Sequence, residues 1–139
     1  MSDWSKVTRP IPVPNEWTKP FWDAAKQGVL ALQRCQSCRH FQHPPYATCV
    51  NCMGIDLKFE PVSGKGRLYT WSVMHMQSIT GFEDRVPYTT LLVELDEQPK
   101  LLLLSYMEGR DEGLQVGQRC EVYFDQVEDF TLPQFRVLK

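Results

Sequence analysis

The sequence predicts a mainly β protein in three parts: a short N-terminal helix, a metal-bound ribbon and a five-stranded barrel. Three observations lead there. Four of the 5 cysteines fall into two Cys-x-x-Cys pairs, Cys35/Cys38 and Cys49/Cys52. Before them, aromatic residues recur at helical spacing. After them, short runs rich in aromatic and β-branched residues are separated by turn signals. The boundaries are set at 1–28 for the arm and helix, 29–61 for the ribbon and 62–139 for the barrel.

In the first part, Pro10, Pro12 and Pro14 punctuate an arm without regular structure. A helix is expected from about residue 15 or 18, with Pro20 tolerated in its first turn and Gly28 at its end. Trp17, Phe21, Trp22 and Ala25 give it a strongly aromatic face. Two readings of that face stay open. It packs on the module behind it, or it docks a partner protein, since aromatic residues concentrate in interface cores. In the second case Trp17, Phe21 and Trp22 make the contact.

In the middle part, each Cys-x-x-Cys turn points two sulfurs at one centre, so two such turns surround a single tetrahedral ion. The linker 39–48 carries Pro44 and Pro45 and is long enough to fold the second pair back on the first. Redox chemistry needs one such motif in a thioredoxin-like setting, not two facing each other. The residues after Met1 lack the apolar run of a signal peptide, which argues for a reducing, cytoplasmic compartment and against disulfides. Cys35, Cys38, Cys49 and Cys52 are therefore expected to hold one structural zinc in a closed sphere, without an open position for water or substrate. Iron is the minority reading, because sulfur ligands suit both metals. From Cys35 to Cys52 the large apolar residues are few (Phe41, Tyr46, Val50), so the ion must supply folding energy, about 10–16 kcal/mol in such modules. His40 and His43 are read as solvent-facing or as supports for the ligands. Strands at 29–34 and 57–60 enter and leave the ribbon.

The third part is all β. Ser63, Gly64, Lys65 and Gly66 form a turn, followed by strands at 67–75, 88–96, 101–107, 119–127 and 134–138. Residues 97–100 reverse the chain, and the connection 109–117 is expected to tuck Leu114 and Val116 inward. Cys120, Val122 and Phe124 alternate on one strand. Cys120 is read as a small core residue, since no neighbouring histidine or basic group lowers its pKa. Five antiparallel strands in roughly 75 residues suit a small closed barrel of the OB type; a sandwich needs about seven. Phe82, in the loop 76–86 between the first two strands, is read as a plug rather than a ligand contact.

Composition narrows the function. A hydrophobic share of 42% and a charged share of 23% belong to a soluble globular protein. The net charge of −2 argues against a general polyanion binder. The longest apolar run, 101–104, is strand-sized and far short of a membrane span. There is no phosphate-binding loop, nucleophile elbow or His-Glu-x-x-His motif. His75 has no evident nucleophile partner, and Glu94 and Asp96 read as a solvated face. Catalysis by this chain alone is not expected.

The order of these features (aromatic helix, paired cysteines around Pro44-Pro45, Ser63-Gly64-x-Gly66, Tyr69-Thr70-Trp71, Pro87-Tyr88, Glu94-Leu95-Asp96, Leu114-x-x-Gly117, Leu132-Pro133-x-Phe135) resembles the DUF35 proteins. These join a rubredoxin-like zinc ribbon to an acyl-CoA-associated OB domain. The resemblance runs from about Trp17 onward. It departs at Arg39 and Val50, where the family often has glycine and proline, and both places lie in turns rather than on ligands. The resemblance implies a non-catalytic accessory subunit that binds a thiolase-fold enzyme (thiolase, acyltransferase or aldolase) or a hydratase in a hetero-oligomer. It would help bind or channel an acyl-CoA thioester, of a lipid or steroid side chain under degradation. The implied acyl-CoA contacts are Lys65, Arg67 and Arg85 toward phosphates, with Trp71, His75 and Phe82 on the barrel face and loop. Two rivals are a single-stranded nucleic-acid module, disfavoured by the charge balance, and a rubredoxin-type electron carrier, which bound iron would mark.

Overall fold

The structure, a computed structural model, describes residues 10–139; residues 1–9 of the expected arm lie outside them. Helix α1 (Lys19–Lys26) is prepared by a turn in which the Asn15 side chain accepts the N–H groups of Trp17 and Thr18, both at 2.9 Å. Pro20 falls in the first turn, where its missing N–H costs nothing. Gly28, at φ 72°, closes the helix. The N–H groups of Gly28 and Val29 reach back to the carbonyls of Ala25 and Ala24, the pairing that satisfies a helix C-terminus. Two turns of helix do not stand alone in water. Phe21 and Ala25 are buried, and Trp22 meets Phe130 edge-on at 6.3 Å. Phe21 thus follows the packing reading of the aromatic face, whereas Trp17 remains 48% exposed.

The ribbon is a three-stranded antiparallel sheet with β1 (Ala31–Cys35) between β2 (Phe41–Gln42) and β3 (Leu57–Pro61). Five further strands follow: β4 (Lys65–Met74), β5 (Tyr88–Leu95), β6 (Leu102–Glu108), β7 (Arg119–Val127) and β8 (Phe130–Val137). They form one antiparallel sheet in the order β6-β5-β4-β7-β8. The expected strand count holds, but β8 begins four residues earlier than 134. Glu128 adopts φ 54° in a tight turn, and pairing then runs from Val127↔Phe130 to Cys120↔Val137. Pro133 is tolerated inside β8 because that strand ends the sheet.

The two end strands approach each other through side chains, with no ladder between them among the described residues. Ser105 Oγ donates to Gln134 Oε1 at 2.8 Å and accepts the Phe135 N–H at 2.8 Å, while the Tyr106 N–H donates to Gln134 Oε1 at 3.0 Å. Inside lie Leu68, Leu91, Val93, Leu103, Cys120 and Phe135, continuous with Phe21, Leu30, Leu32 and Phe41 of the preceding parts. Ribbon and barrel are also joined by Gln98, whose amide takes the place of a neighbouring strand. Its Oε1 accepts the Phe41 N–H and its Nε2 donates to the Phe41 carbonyl, both at 2.9 Å.

Three expectations are corrected. The turn at 63–66 ends at Gly64; Gly66 belongs to β4 and lies against β5, where an added Cβ would stand 2.3 Å from the Glu94 carbonyl oxygen. Val116 points outward, 72% exposed, because it occupies a turn, while Leu114 is buried at 6%. Glu94 is not on a solvated face. It is 7% exposed, accepts Arg67 Nε at 2.8 Å and the Lys100 N–H at 3.0 Å, and these two donors hold its carboxyl below the usual range.

Candidate functional site: the metal centre and an apolar groove

Each cysteine pair sits on a turn built in the same way. The Arg39 N–H donates to the Cys35 carbonyl and the Met53 N–H to the Cys49 carbonyl, both at 2.9 Å. Arg39 and Met53 then take φ values of 66° and 65°, the left-handed region where glycine is at ease. Arg39 stands there because its guanidinium is anchored on Gln36 Oε1 at 2.9 Å and Glu60 Oε1 at 3.0 Å. The turns bring Cys35 Sγ to 3.6 Å from Cys52 Sγ, and Cys38 Sγ to 3.6 Å from Cys49 Sγ. All four sulfurs lie within 4.8 Å of one another, and no histidine enters the cluster.

A tetrahedral ion with sulfur bonds of about 2.3 Å requires sulfur–sulfur edges of roughly 3.8 Å, so the quartet fits zinc. The electrostatics point the same way. Asn51 Nδ2 and the His40 N–H donate to Cys38 Sγ and bring its thiol down to about 6. At Cys52 the Gly54 N–H lowers the pKa, but the crowding Cys35 and Cys38 sulfurs outweigh it and push the thiol up to about 12. Four neighbouring thiolates need a cation among them. The all-sulfur sphere has no open position, so the ion is structural: it holds the second turn, the linker and β1 in register.

His43 departs from the solvent-facing expectation. The linker folds onto α1, the imidazole lies 5.3 Å from the Phe21 ring, and burial lowers its pKa to about 4. Two residues that the sequence reading missed fix that linker. Gln33 and Gln42 are 5% and 4% exposed. Gln33 pairs with both backbone groups of Tyr46 at 2.9 Å, and Gln42 donates to Gln33 Oε1 and the Thr48 carbonyl while accepting the Val50 N–H. Their signal in the sequence was faint: two polar residues at strand positions flanking the first cysteine turn.

The linker, α1 and the barrel enclose a groove of about 630 Å³ at the place where β6 and β8 meet. Its walls include Trp22, Pro44, Leu92, Leu104, Leu132 and Pro133. Sequence reading found Phe21 and Trp22 on its rim but not the groove.

The six residues marked for acyl-CoA do not all lie together. Lys65 and Arg67 open β4, whereas His75 follows its other end, roughly 33 Å away along an extended strand of that length. Arg67 is ion-paired to Glu94 at 2.7 Å. Trp71 packs against the core. Phe82 lies between Tyr88 and Tyr106, with ring centres at 5.2 and 5.4 Å, and Arg85 stands over its ring at 5.6 Å.

Comparison with known proteins bears on both halves. A family profile described as the rubredoxin-like zinc ribbon domain of ChsH2 matches residues 22–57, and one described as the C-terminal OB-fold domain of ChsH2 matches residues 59–125. A "probable enoyl-CoA hydratase alpha subunit" of Thermomonospora curvata is 34% identical over 134 residues, covering 94% of this chain and 40% of that protein. The "3-oxo-4,17-pregnadiene-20-carboxyl-CoA hydratase alpha subunit" of Mycobacterium tuberculosis is 29% identical over 113 residues, 81% of this chain and 35% of the relative. The chain therefore spans well under half the length of these two relatives. Among solved structures, the chain titled "Ltp2-ChsH2(DUF35) aldolase" superposes with a TM-score of 0.78 at 30% identity, covering 91% of this chain and 98% of that one.

A four-cysteine ribbon followed by a five-stranded OB domain defines the class: a zinc-ribbon/OB protein. The chain belongs to the DUF35 family. No helix among the described residues is long and apolar enough to cross a membrane.

Proposed function

We propose that this chain is a non-catalytic accessory subunit that binds a thiolase-fold or hydratase enzyme and helps bind or channel an acyl-CoA thioester. The observation that carries this reading is the likeness to the DUF35 chain of an aldolase, which extends over 98% of that chain. The hydratase subunits among its relatives give the acyl-CoA, and the pregnadiene-carboxyl-CoA named in one of them points to lipid or steroid side-chain degradation. The site chemistry agrees. Four sulfurs close the metal sphere.

For the partner, the exposed Trp17 and the half-buried Trp22 on α1 are the contacts we assign, with Phe21 supporting them from below. For the thioester we favour the end of the barrel bearing His75, Phe82 and Arg85 over the opposite end, where Glu94 already neutralises Arg67. Trp71, further along β4, completes that set, whereas Lys65 opens the strand at the opposite end. Unpaired thiols at all five cysteines suit a reducing, cytoplasmic setting.

The test is affinity capture of the tagged chain from its native host, with mass spectrometry of what comes with it. A stoichiometric thiolase-fold or hydratase enzyme is the expected result; a monodisperse monomer would contradict the reading.

A further inference from the structure

The groove between α1, the linker and the β6/β8 seam shares Phe21 and Trp22 with the partner contact assigned above, but its floor and far wall on β5, β6 and β8 belong to no assigned contact. Its floor is the outer face of the sheet, where Leu92 and Leu104 are paired across β5 and β6 and Leu104 is left 69% exposed. Its sides are Trp22 on the helix, Pro44 in the linker and Leu132 with Pro133 on β8. No aspartate, glutamate, lysine or arginine lines it. Its polar side chains are Thr18, His43 and Gln134. Gln134 is engaged through its Oε1 in bridging the seam. His43 has no hydrogen bond among the described residues, and its lowered pKa keeps the ring neutral.

Such a surface is costly to leave in water. At about 630 Å³ the groove falls in the roughly 300–1,000 Å³ range of small-molecule sites. It has the matching composition too, apolar walls with a few polar groups. A charged headgroup would be desolvated there without a counter-charge, so the occupant must present an uncharged body.

We propose that this groove binds the hydrocarbon portion of an amphipathic acyl ligand, leaving its charged head outside, with His43 as the hydrogen-bonding group at the wall. This rests on the accessory-subunit reading for the identity of the ligand as an acyl thioester; the groove itself is defined by this chain alone. The same chemistry would accept a free fatty acid, so the experiment separates the two sources.

The zinc-loaded full chain is titrated with decanoyl-CoA, decanoic acid and CoA, each followed by calorimetry and by tryptophan fluorescence. Decanoyl-CoA is expected to saturate at one per chain, with CoA weaker by roughly tenfold or more. Binding of decanoic acid as tightly as decanoyl-CoA assigns the groove to a free fatty acid; weaker but saturable binding assigns it to the thioester. Leu132→Trp should fill the groove and weaken decanoyl-CoA by roughly tenfold or more while zinc content is kept. Leu104→Asp, at a position exposed enough to tolerate the change, should do the same. CoA binding as tightly as decanoyl-CoA, or both variants binding like the parent chain, would overturn the proposal. If the groove fails in this way while the chain still captures its enzyme, the accessory-subunit reading stands without it.

Discussion

Gln42 shows how much one buried polar side chain can organise. Its amide satisfies Gln33 Oε1, the Thr48 carbonyl and the Val50 N–H, and so ties the linker to β2 immediately before the second cysteine turn. Gln42→Ala takes the partner from the Thr48 carbonyl and the Val50 N–H, while Gln33 Oε1 keeps the Tyr46 N–H. Each orphaned buried group costs on the order of 1–3 kcal/mol, and denaturant unfolding of the zinc-loaded protein should show a loss of at least about 2 kcal/mol. A change near zero would mean that water replaces the amide. His43 makes a second prediction at this scale. Its folded pKa of about 4 lies below the ordinary 6.5, so the fold favours the neutral ring. That contribution is complete above the ordinary value and is lost as pH falls toward the folded one. The imidazole should titrate near 4 by NMR, and His43→Phe should flatten the stability profile over that interval. A ring titrating near 6.5 would place it in solvent.

Among elements, the cysteine turns and the first barrel strand carry the sharpest local constraints. Met53 is left-handed, 79% exposed and without a side-chain anchor, unlike Arg39. Met53→Gly should therefore stabilise the zinc-loaded protein by about 0.5–1 kcal/mol, read from the thermal midpoint at constant metal. Gly66→Ala should do the reverse. Its methyl would meet a β5 carbonyl at 2.3 Å, and separating two paired strands costs about 1–3 kcal/mol. Equal midpoints for Gly66→Ala and the parent would refute the close approach. These elements also show what a sequence can and cannot reveal. The metal turns were legible because ligand spacing is local: two residues separate the cysteines of each pair. Helix α1 was legible from its proline and glycine punctuation. The early start of β8 was not, because Pro133 signals a break unless the strand is known to end the sheet. Glu94 was misread for a related reason, since its burial depends on Arg67 and on the Lys100 N–H, both brought in by the sheet.

For the molecule as a whole, ribbon and barrel share one core, and the Gln98 amide bridges them at Phe41. The metal should therefore stabilise more than its own turns. Stripping zinc with a chelator is expected to release one ion per chain and to lower the thermal midpoint of the entire protein, not only the ribbon signal. An unchanged barrel transition would show that the two parts are energetically separate. The groove exists only at this scale. Its walls come from residues 18–22, 43–45, 92, 102–104 and 132–134, and no window of sequence contains them together. The acyl-CoA candidates read from the sequence lie apart for the complementary reason: Lys65 and Arg67 open β4, and His75, near them in the chain, follows its other end.

The most direct measurement is the turnover of an acyl-CoA by the captured enzyme, assayed alone, with the zinc-loaded chain, and with Cys49→Ser. Turnover should rise on addition of equimolar zinc-loaded chain and stay at the enzyme-alone level with the variant. Full turnover without the chain, or equal stimulation by the metal-free variant, would contradict an accessory subunit whose contact surface is organised by four sulfurs around one ion.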